Sequence, residues 1–382
     1  MPVANIPLLD YMIDYLSDNN IEEVYILCTI FHKEISEYIK KQRYKSYKNL
    51  KITSIMCKGA SSPCGALRSL LENYVDSPLV SEDFVVLRGD MITNVPLEKA
   101  IKEHMERKAK NIKCMITKTF VQMCHANRLR TQEDDILVVT DPGEKLIVQY
   151  NQFHREEKIS LKGRSIPFGS NLELRYDLYD CRIDICTPEL LYYLKDNFDF
   201  KDLQENFIQD VNSPNSLAES KVYYYEYSDP KAAYCAVLHY PSLYDFVSRD
   251  LIKRYVYPLV IDSNLMCPSE NLTFKYTRNN IYMEENTKLA MTCIISPNTV
   301  IGKDTEIHDK AIVESSTIGR GCSIGAGSKI TGSYLWSNVI IEEGCVITSA
   351  LICDNVIVRK GATISKGVTL DKDVNFPIDS YE

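Results

Sequence analysis

From Leu289 onward an aliphatic side chain returns at a nearly constant interval. The positions are Leu289, Ile295, Ile301, Ile307, Val313, Ile318, Ile324, Ile330, Leu335, Ile341, Ile347, Ile352, Val358, Ile364 and Leu370. From Ile301 the steps run six, six, five, three times over, to Ile318, Leu335 and Ile352. The last turn, to Leu370, is six, six, six. Four residues after most of these positions the side chain is small: Thr299, Thr305, Ala311, Thr317, Cys322, Ser328, Cys345 and Ala362. An amphipathic helix repeats its apolar face near every 3.6 residues, and a half-buried strand about every 2. Steps of six suit neither. They suit a coil with three flat sides, each one short strand and a corner, with the aliphatic pointing inward and the small residue inside the corner. Successive coils then bury one apolar column. A β-sandwich of short strands is the alternative, and the unbroken register favours the solenoid.

Upstream the pattern changes. Apolar positions at Ile6, Leu8, Leu9, Met12, Ile13 and Leu16 predict a helix over 3–16, with Pro7 in its first turn. Val24–Cys28 reads as a buried strand, 33–43 as an exposed helix with Lys33/Glu37 and Glu37/Lys41 at spacing four, and Lys51–Met56 as a strand. A helix over Ala66–Val75, a strand over Asp83–Arg88, a helix over Leu97–Arg107 and a strand over Ile112–Lys118 follow. Asp135–Val139 and Leu146–Tyr150 predict a hairpin around Asp141-Pro142-Gly143. Further strands are expected at Arg182–Cys186, Val222–Tyr227 and Tyr234–Leu238, with helical segments at Pro188–Asn197, Phe200–Val211 and Tyr244–Tyr255. The alternation predicts an open, mostly parallel α/β sheet with helices on both faces. The expected division is an α/β domain over 1–257, a connector over 258–282, the solenoid over 283–370 and a polar tail over 371–382.

Composition adds few constraints. Hydrophobic content of 45% and charged content of 25% are ordinary for a globular chain of two domains. A net charge of −8 argues against a broad nucleic-acid-binding surface. No run approaches the roughly 18 apolar residues of a membrane span, and no signal peptide is visible at the start. The 13 cysteines form no Cys-x-x-Cys pair, and the six histidines have no metal-site spacing. The expectation is a cytoplasmic chain with reduced thiols, no metal site, no cofactor, and neither nucleic acid nor membrane as partner.

Gly89-Asp90 follows a buried strand of the α/β sheet. Ligands bind outside the carboxyl ends of such strands, and an Asp there can hold a divalent cation against a phosphate. Equally, it can cap the following loop. Arg175-Tyr176-Asp177-Leu178-Tyr179-Asp180 is either a ligand clamp or a local Arg–Asp network, and the network is favoured. Asn197-Phe198-Asp199-Phe200 ends a helix. Read locally, Asn is the helix terminator and the aromatics are core. No Gly-x-Gly-x-x-Gly or Walker motif occurs.

A doubly wound domain followed by hexapeptide repeats resembles the nucleotidyltransferase-plus-solenoid architecture of sugar-nucleotide pyrophosphorylases. Pro2-Val3-Ala4-Asn5-Ile6-Pro7-Leu8-Leu9-Asp10-Tyr11 is similar to the segment after that family's signature loop, and Gly89-Asp90 to its metal-binding Asp. On this resemblance the Gly-rich loop would precede residue 1, Gln152-Phe153-His154 stands for Glu-Lys-Pro, and Arg182 for a Gly near the sugar. The chain is therefore not expected to transfer nucleotides. Asp90 and Asp177 are expected to be vestigial nucleotide or metal residues. A pyrophosphorylase is the alternative function.

A closer resemblance is to the epsilon-subunit family of eukaryotic translation initiation factor 2B. It is carried in order by Arg175-Tyr176-Asp177-Leu178-Tyr179-Asp180-Cys181-Arg182-Ile183-Asp184-Ile185-Cys186-Thr187-Pro188, Asp196-Asn197-Phe198-Asp199-Phe200, Arg254-Tyr255-Val256-Tyr257-Pro258-Leu259, Arg278-Asn279-Asn280-Ile281-Tyr282, Tyr334-Leu335-Trp336 and Leu351-Ile352-Cys353-Asp354-Asn355. The resemblance implies a nucleotidyltransferase-like (Rossmann-like) α/β sheet followed by a left-handed β-helix. It also implies a scaffold and docking part of a guanine nucleotide exchange factor, partnered by a gamma subunit, the remaining subunits and translation initiation factor 2. The family's exchange catalysis lies in a C-terminal helical domain, which is not expected in this chain. The family's Asn-Phe motif falls on Asn197 and Phe198, which become candidate partner-binding residues. Trp336, the single Trp, sits one place after an inward position and should point outward. Tyr334 and Trp336 are therefore expected at a contact with a sister subunit.

Overall fold

The computed structural model describes residues 1–40, 50–73, 80–110, 113–124, 126–152, 171–213, 216, 221–229, 233–262 and 274–377. His125, Phe153, His154, the expected helix ends at 41–43 and 74–75, Ile112, part of the expected connector and the end of the tail lie outside them. Two compact units are present: the first is Met1–Tyr15 with Leu238–Glu382, and the second is Leu16–Val237.

The chain opens with a hairpin, β1 (Pro2–Val3) and β2 (Ile6–Pro7), and then α1 (Leu8–Asp18). Ala4 and Asn5 turn the hairpin with φ of 47° and 68°. Two successive left-handed residues cannot continue a helix, so the helix expected from residue 3 starts at Leu8.

The second unit holds β3 (Glu23–Cys28) and β4 (Lys51–Met56), a parallel pair with α2 (His32–Lys40) between them in sequence. Next come α3 (Pro63–Asn73), β5 (Phe84–Leu87), β6 (Met91–Thr93), α4 (Glu98–Ala109), β7 (Cys114–Gln122), β8 (Ile136–Asp141) and β9 (Leu146–Gln152). The unit continues with β10 (Glu173–Arg175), β11 (Leu178–Cys186), α5 (Glu189–Asp196), α6 (Glu205–Val211), β12 (Lys221–Tyr227) and β13 (Cys235–Val237). The main sheet runs β10-β8-β9-β12-β7-β11-β5. It is mixed: β7 and β12 are parallel, and the other neighbours in it are antiparallel. β7 and β11 are buried along nearly their whole lengths, as central strands must be when both faces are covered. β11 begins four residues earlier than its expected strand. A register shift between Asp180 and Asp184, with Arg182 at φ 55°, absorbs the extra residues and keeps both halves on β7.

In the first unit every expected inward aliphatic lies in a strand, and the three sides form three sheets. Ile301, Ile318, Leu335, Ile352 and Leu370 stack in parallel register on one side. Ile307, Ile324, Ile341 and Val358 stack on the second, and Val313, Ile330, Ile347 and Ile364 on the third. The second side carries one strand beyond the expected end, Asn375–Phe376 on Ile357–Val358. The small corner residues are buried. Several satisfy the next coil: Thr305 Oγ1 donates to the Gly319 carbonyl (2.8 Å) and Ser328 Oγ to that of Glu342 (2.9 Å). A corner carbonyl has no ladder partner of its own, so this is where a hydroxyl is needed.

The compact units do not divide at residue 257. The hairpin and α7 (Pro241–Ile252) belong with the solenoid, because polar groups tie them to it. Asn5 Nδ2 donates to the Ile318 carbonyl (2.7 Å), and Tyr244 Oη to that of Pro2 (2.8 Å).

Candidate functional site

α5 is made by Leu190, Leu191 and Leu194, which are buried on one face, while Tyr192 stays exposed. It ends at Asn197, whose backbone is extended; the Asn197 amide N–H and Nδ2 both donate to the Tyr193 carbonyl (3.2 and 2.9 Å). The local reading of Asn as a terminator thus describes its side chain. Phe200 turns back into the core, stacked on Tyr193 and edge-on to Phe207. Phe198 does not: the residue is 69% exposed. A phenyl group left in water at the end of a well-packed helix is a feature that core formation does not explain.

Arg68, on α3, meets this turn from below. Its Nη1 donates to the carbonyls of Asn197 (3.0 Å) and Leu194 (3.4 Å), and its guanidinium carbon stands 5.5 Å from the Phe198 ring centroid. A cation at a helix C-terminus meets the carbonyls that the helix leaves unpaired. Reading along the sequence does not reveal Arg68. The one signal is a basic residue between the apolar positions Leu67, Leu70 and Leu71 of an amphipathic helix.

Asp90 and Asp177 are in the same unit, and each is engaged by a neighbouring arginine. Arg88 Nε and Nη2 donate to Asp90 Oδ1 and Oδ2 (3.0 and 2.7 Å), so both carboxylate oxygens are used. Asp177 accepts from Arg175 through both oxygens (2.8 and 2.9 Å) and from Gln122 Nε2 (2.8 Å). The Arg175 hydrogen bonds bring its pKa down to about 2. Arg175 also holds Glu226, so the Arg-Tyr-Asp string is the local network anticipated as the simpler reading.

Beneath it, β7 and β11 bury a charge cluster that the sequence reading did not identify. Lys118 Nζ lies 2.7 Å from Asp184 Oδ1 and 3.4 Å from Asp180 Oδ2, and Tyr150 Oη donates to Asp180 Oδ2 (3.1 Å). Burial opposes the Lys118 charge, but the two carboxylates outweigh it and hold its pKa above the ordinary lysine value. Burial pushes the Tyr150 hydroxyl well up, so it remains a donor.

Tyr334 and Trp336 lie in the other unit. Tyr334 is buried: its Oη donates to Asp245 Oδ1 of α7 (2.7 Å), and its ring meets that of Tyr244 edge-on. The outward side of the sheet at Tyr334 is therefore taken by the chain's own helix. Trp336 is half-buried, and its Nε1 donates to Tyr244 Oη (3.4 Å). On another side of the solenoid, His308 borders an open groove with Ile340, Glu342, Glu343 and Lys360. Among the described residues no three His, Cys, Asp or Glu side chains group as a metal site, and no helix is long and apolar enough to cross a membrane.

Two family models match the chain. One, described as Nucleotidyl transferase, covers residues 1–123; the other, EIF2B subunit epsilon LbH domain, covers 278–379. The chain is 33% identical over 302 residues to the translation initiation factor eIF2B subunit epsilon of Dictyostelium discoideum, covering 79% of this chain and 41% of that protein. It is 32% identical over 342 residues to that of Schizosaccharomyces pombe, covering 89% and 49%. It is 23% identical over 221 residues to a UTP--glucose-1-phosphate uridylyltransferase of Synechocystis, covering 53% of each. The chain thus spans about half, or less, of the length of the epsilon relatives. With a nucleotidyl transferase domain and an epsilon-type solenoid in that order, and 32–33% identity over 79–89% of its residues, the chain belongs to the family of eIF2B epsilon subunits.

Proposed function

We propose that this chain is the scaffold and substrate-docking part of a guanine nucleotide exchange factor for translation initiation factor 2. It works in a cytoplasmic multi-subunit complex that promotes GDP release. The observation that carries this reading is the similarity to epsilon subunits across both units, 89% of the chain in the longer match. The exposed Phe198 supports it at the level of a site: Phe is among the aromatic residues enriched at protein interfaces, and this one is held on a firm turn. Asn197 and Phe198 are assigned to translation initiation factor 2, and the Tyr334–Trp336 edge to a gamma-type sister subunit. In that edge Trp336 offers the surface, and Tyr334 holds α7 behind it.

The chain's own nucleotidyltransferase site is read as inactive. Asp90 and Asp177 are vestigial in this reading, each carboxylate being committed to an arginine. The match to the nucleotidyl transferase family and to a uridylyltransferase supports a second reading, an active sugar-nucleotide pyrophosphorylase. Magnesium-dependent formation of a sugar nucleotide by the purified chain would establish the second reading and remove the first claim of inactivity.

Two measurements test the docking reading. The chain should capture a gamma-type subunit and translation initiation factor 2 in pull-downs; capture of neither overturns it. In the assembled complex, Asn197→Ala with Phe198→Ala should lower the GDP-release rate about tenfold or more while leaving assembly intact. An unchanged rate removes both residues from the site.

A further inference from the structure

We infer that Arg68 is the positioning residue that presents Phe198, so that the surface offered to a partner is an arginine–phenylalanine unit. This rests on the docking reading for its consequence in exchange, but the positioning itself is a property of the chain alone.

The turn from Asn197 to Phe200 is fixed at both ends. At one end the Asn197 amide and side chain close the helix on Tyr193. At the other end, Phe200 packs with Tyr193 and Phe207, and the Lys201 carbonyl accepts from the Cys64 amide at the start of α3 (3.1 Å). Nothing in these contacts holds the Phe198 ring. Its χ1 and χ2 would be free, and an exposed ring sampling several rotamers loses entropy whenever a partner binds it.

Arg68 supplies the missing constraint. Its guanidinium is anchored by two carbonyl acceptors, Leu194 and Asn197, so its plane is set by the backbone of α5. The ring of Phe198 lies within cation–π range of that plane, at 5.5 Å. One face of the ring is thereby covered and the other left to solvent. Lysine cannot replace this arrangement. Its ammonium could donate to the same two carbonyls, since one nitrogen, Nη1, meets both, but it is a point charge without a flat face to lie against the ring. The contact joins residues 130 apart in sequence, one on α3 and one just past the end of α5, two helices whose leucines share one core.

Two experiments test the inference. First, 4-fluorophenylalanine at position 198 of the full chain should give one fluorine line, displaced from that of the unfolded chain. Arg68→Lys and Arg68→Met should move it toward the unfolded position while the unfolding midpoint stays near the parent value. A line unchanged in both variants overturns the positioning role. So does a shift accompanied by loss of the folded transition in both, since that makes Arg68 a general structural residue. Second, in the assembled exchange complex, Arg68→Lys should lower the GDP-release rate about three- to tenfold. In the Phe198→Ala background the same change should cost little further. Independent, multiplicative losses overturn the coupling. If Phe198→Ala alone leaves the rate unchanged, the docking reading fails, and the fluorine result still decides the positioning.

Discussion

At the scale of single residues, the informative side chains are those whose environment contradicts their chemistry. Phe198 is apolar and in water; Lys118 is charged and 1% exposed. The first is explained by a guanidinium beneath it, the second by Asp180 and Asp184. Removing Lys118 tests how far the carboxylates depend on it. Lys118→Met keeps the volume but removes the cation bonded to Asp184, leaving the two buried acids with Arg182 as their nearby positive charge. It should destabilise the chain by about 3–5 kcal/mol in denaturant unfolding, the usual result of breaking a buried pair from one side. Adding Asp184→Asn should recover part of that loss. Equal stability of Lys118→Met and the parent would show that the cluster is hydrated enough to need no counter-charge.

At the scale of elements, the solenoid was legible in the sequence and the centre of the α/β sheet was not. Each coil imposes its own geometry, so the aliphatic interval had to appear in the primary structure. Ile301, Ile318 and Leu335 are neighbours in space because they are seventeen apart in sequence. β11 breaks the usual pattern. Asp180, Arg182 and Asp184 alternate with apolar residues in a strand buried on both faces, and only their partners on β7 and β9 make this affordable. Those partners lie 30 to 66 residues away, which no local pattern reports. A larger separation, 129 residues, hid Arg68 from Asn197. Within the solenoid, Gly319 shows how tightly coils pass. A Cβ there would lie 2.3 Å from the Trp336 carbonyl oxygen. Gly319→Ala should therefore push two coils apart and lower stability by about 1–3 kcal/mol or more, read as a reduced thermal midpoint. A midpoint within a degree of the parent would mean that the stack can shift at no cost.

At the scale of the whole molecule, the division into units differs from the order of the chain. The first fifteen residues and the segment from Leu238 belong to one unit, although more than two hundred residues lie between them. The expected boundary at 257 followed the change in periodicity. It missed α7, because a helix that packs outside a solenoid carries no mark of the solenoid's interval. The bonds that tie this unit together are polar and long-range: Tyr244 to Pro2, Tyr334 to Asp245 and Asn5 to Ile318.

The position of Trp336 gives this unit an optical label of its own. It is the single indole of the chain, half-buried, with its N–H on Tyr244 Oη. Tryptophan emission therefore observes the unit formed by 1–15 and 238–382, and the unit of 16–237 is silent at that wavelength. Unfolding followed by emission should report the release of indole from helix α7, while far-ultraviolet dichroism reports both units together. Tyr244→Phe removes the acceptor oxygen and leaves the ring, so it should shift the native emission maximum. No shift would show that the hydroxyl does not reach the indole in solution. The same emission would sense a sister subunit covering that edge, which makes binding there measurable without any added dye.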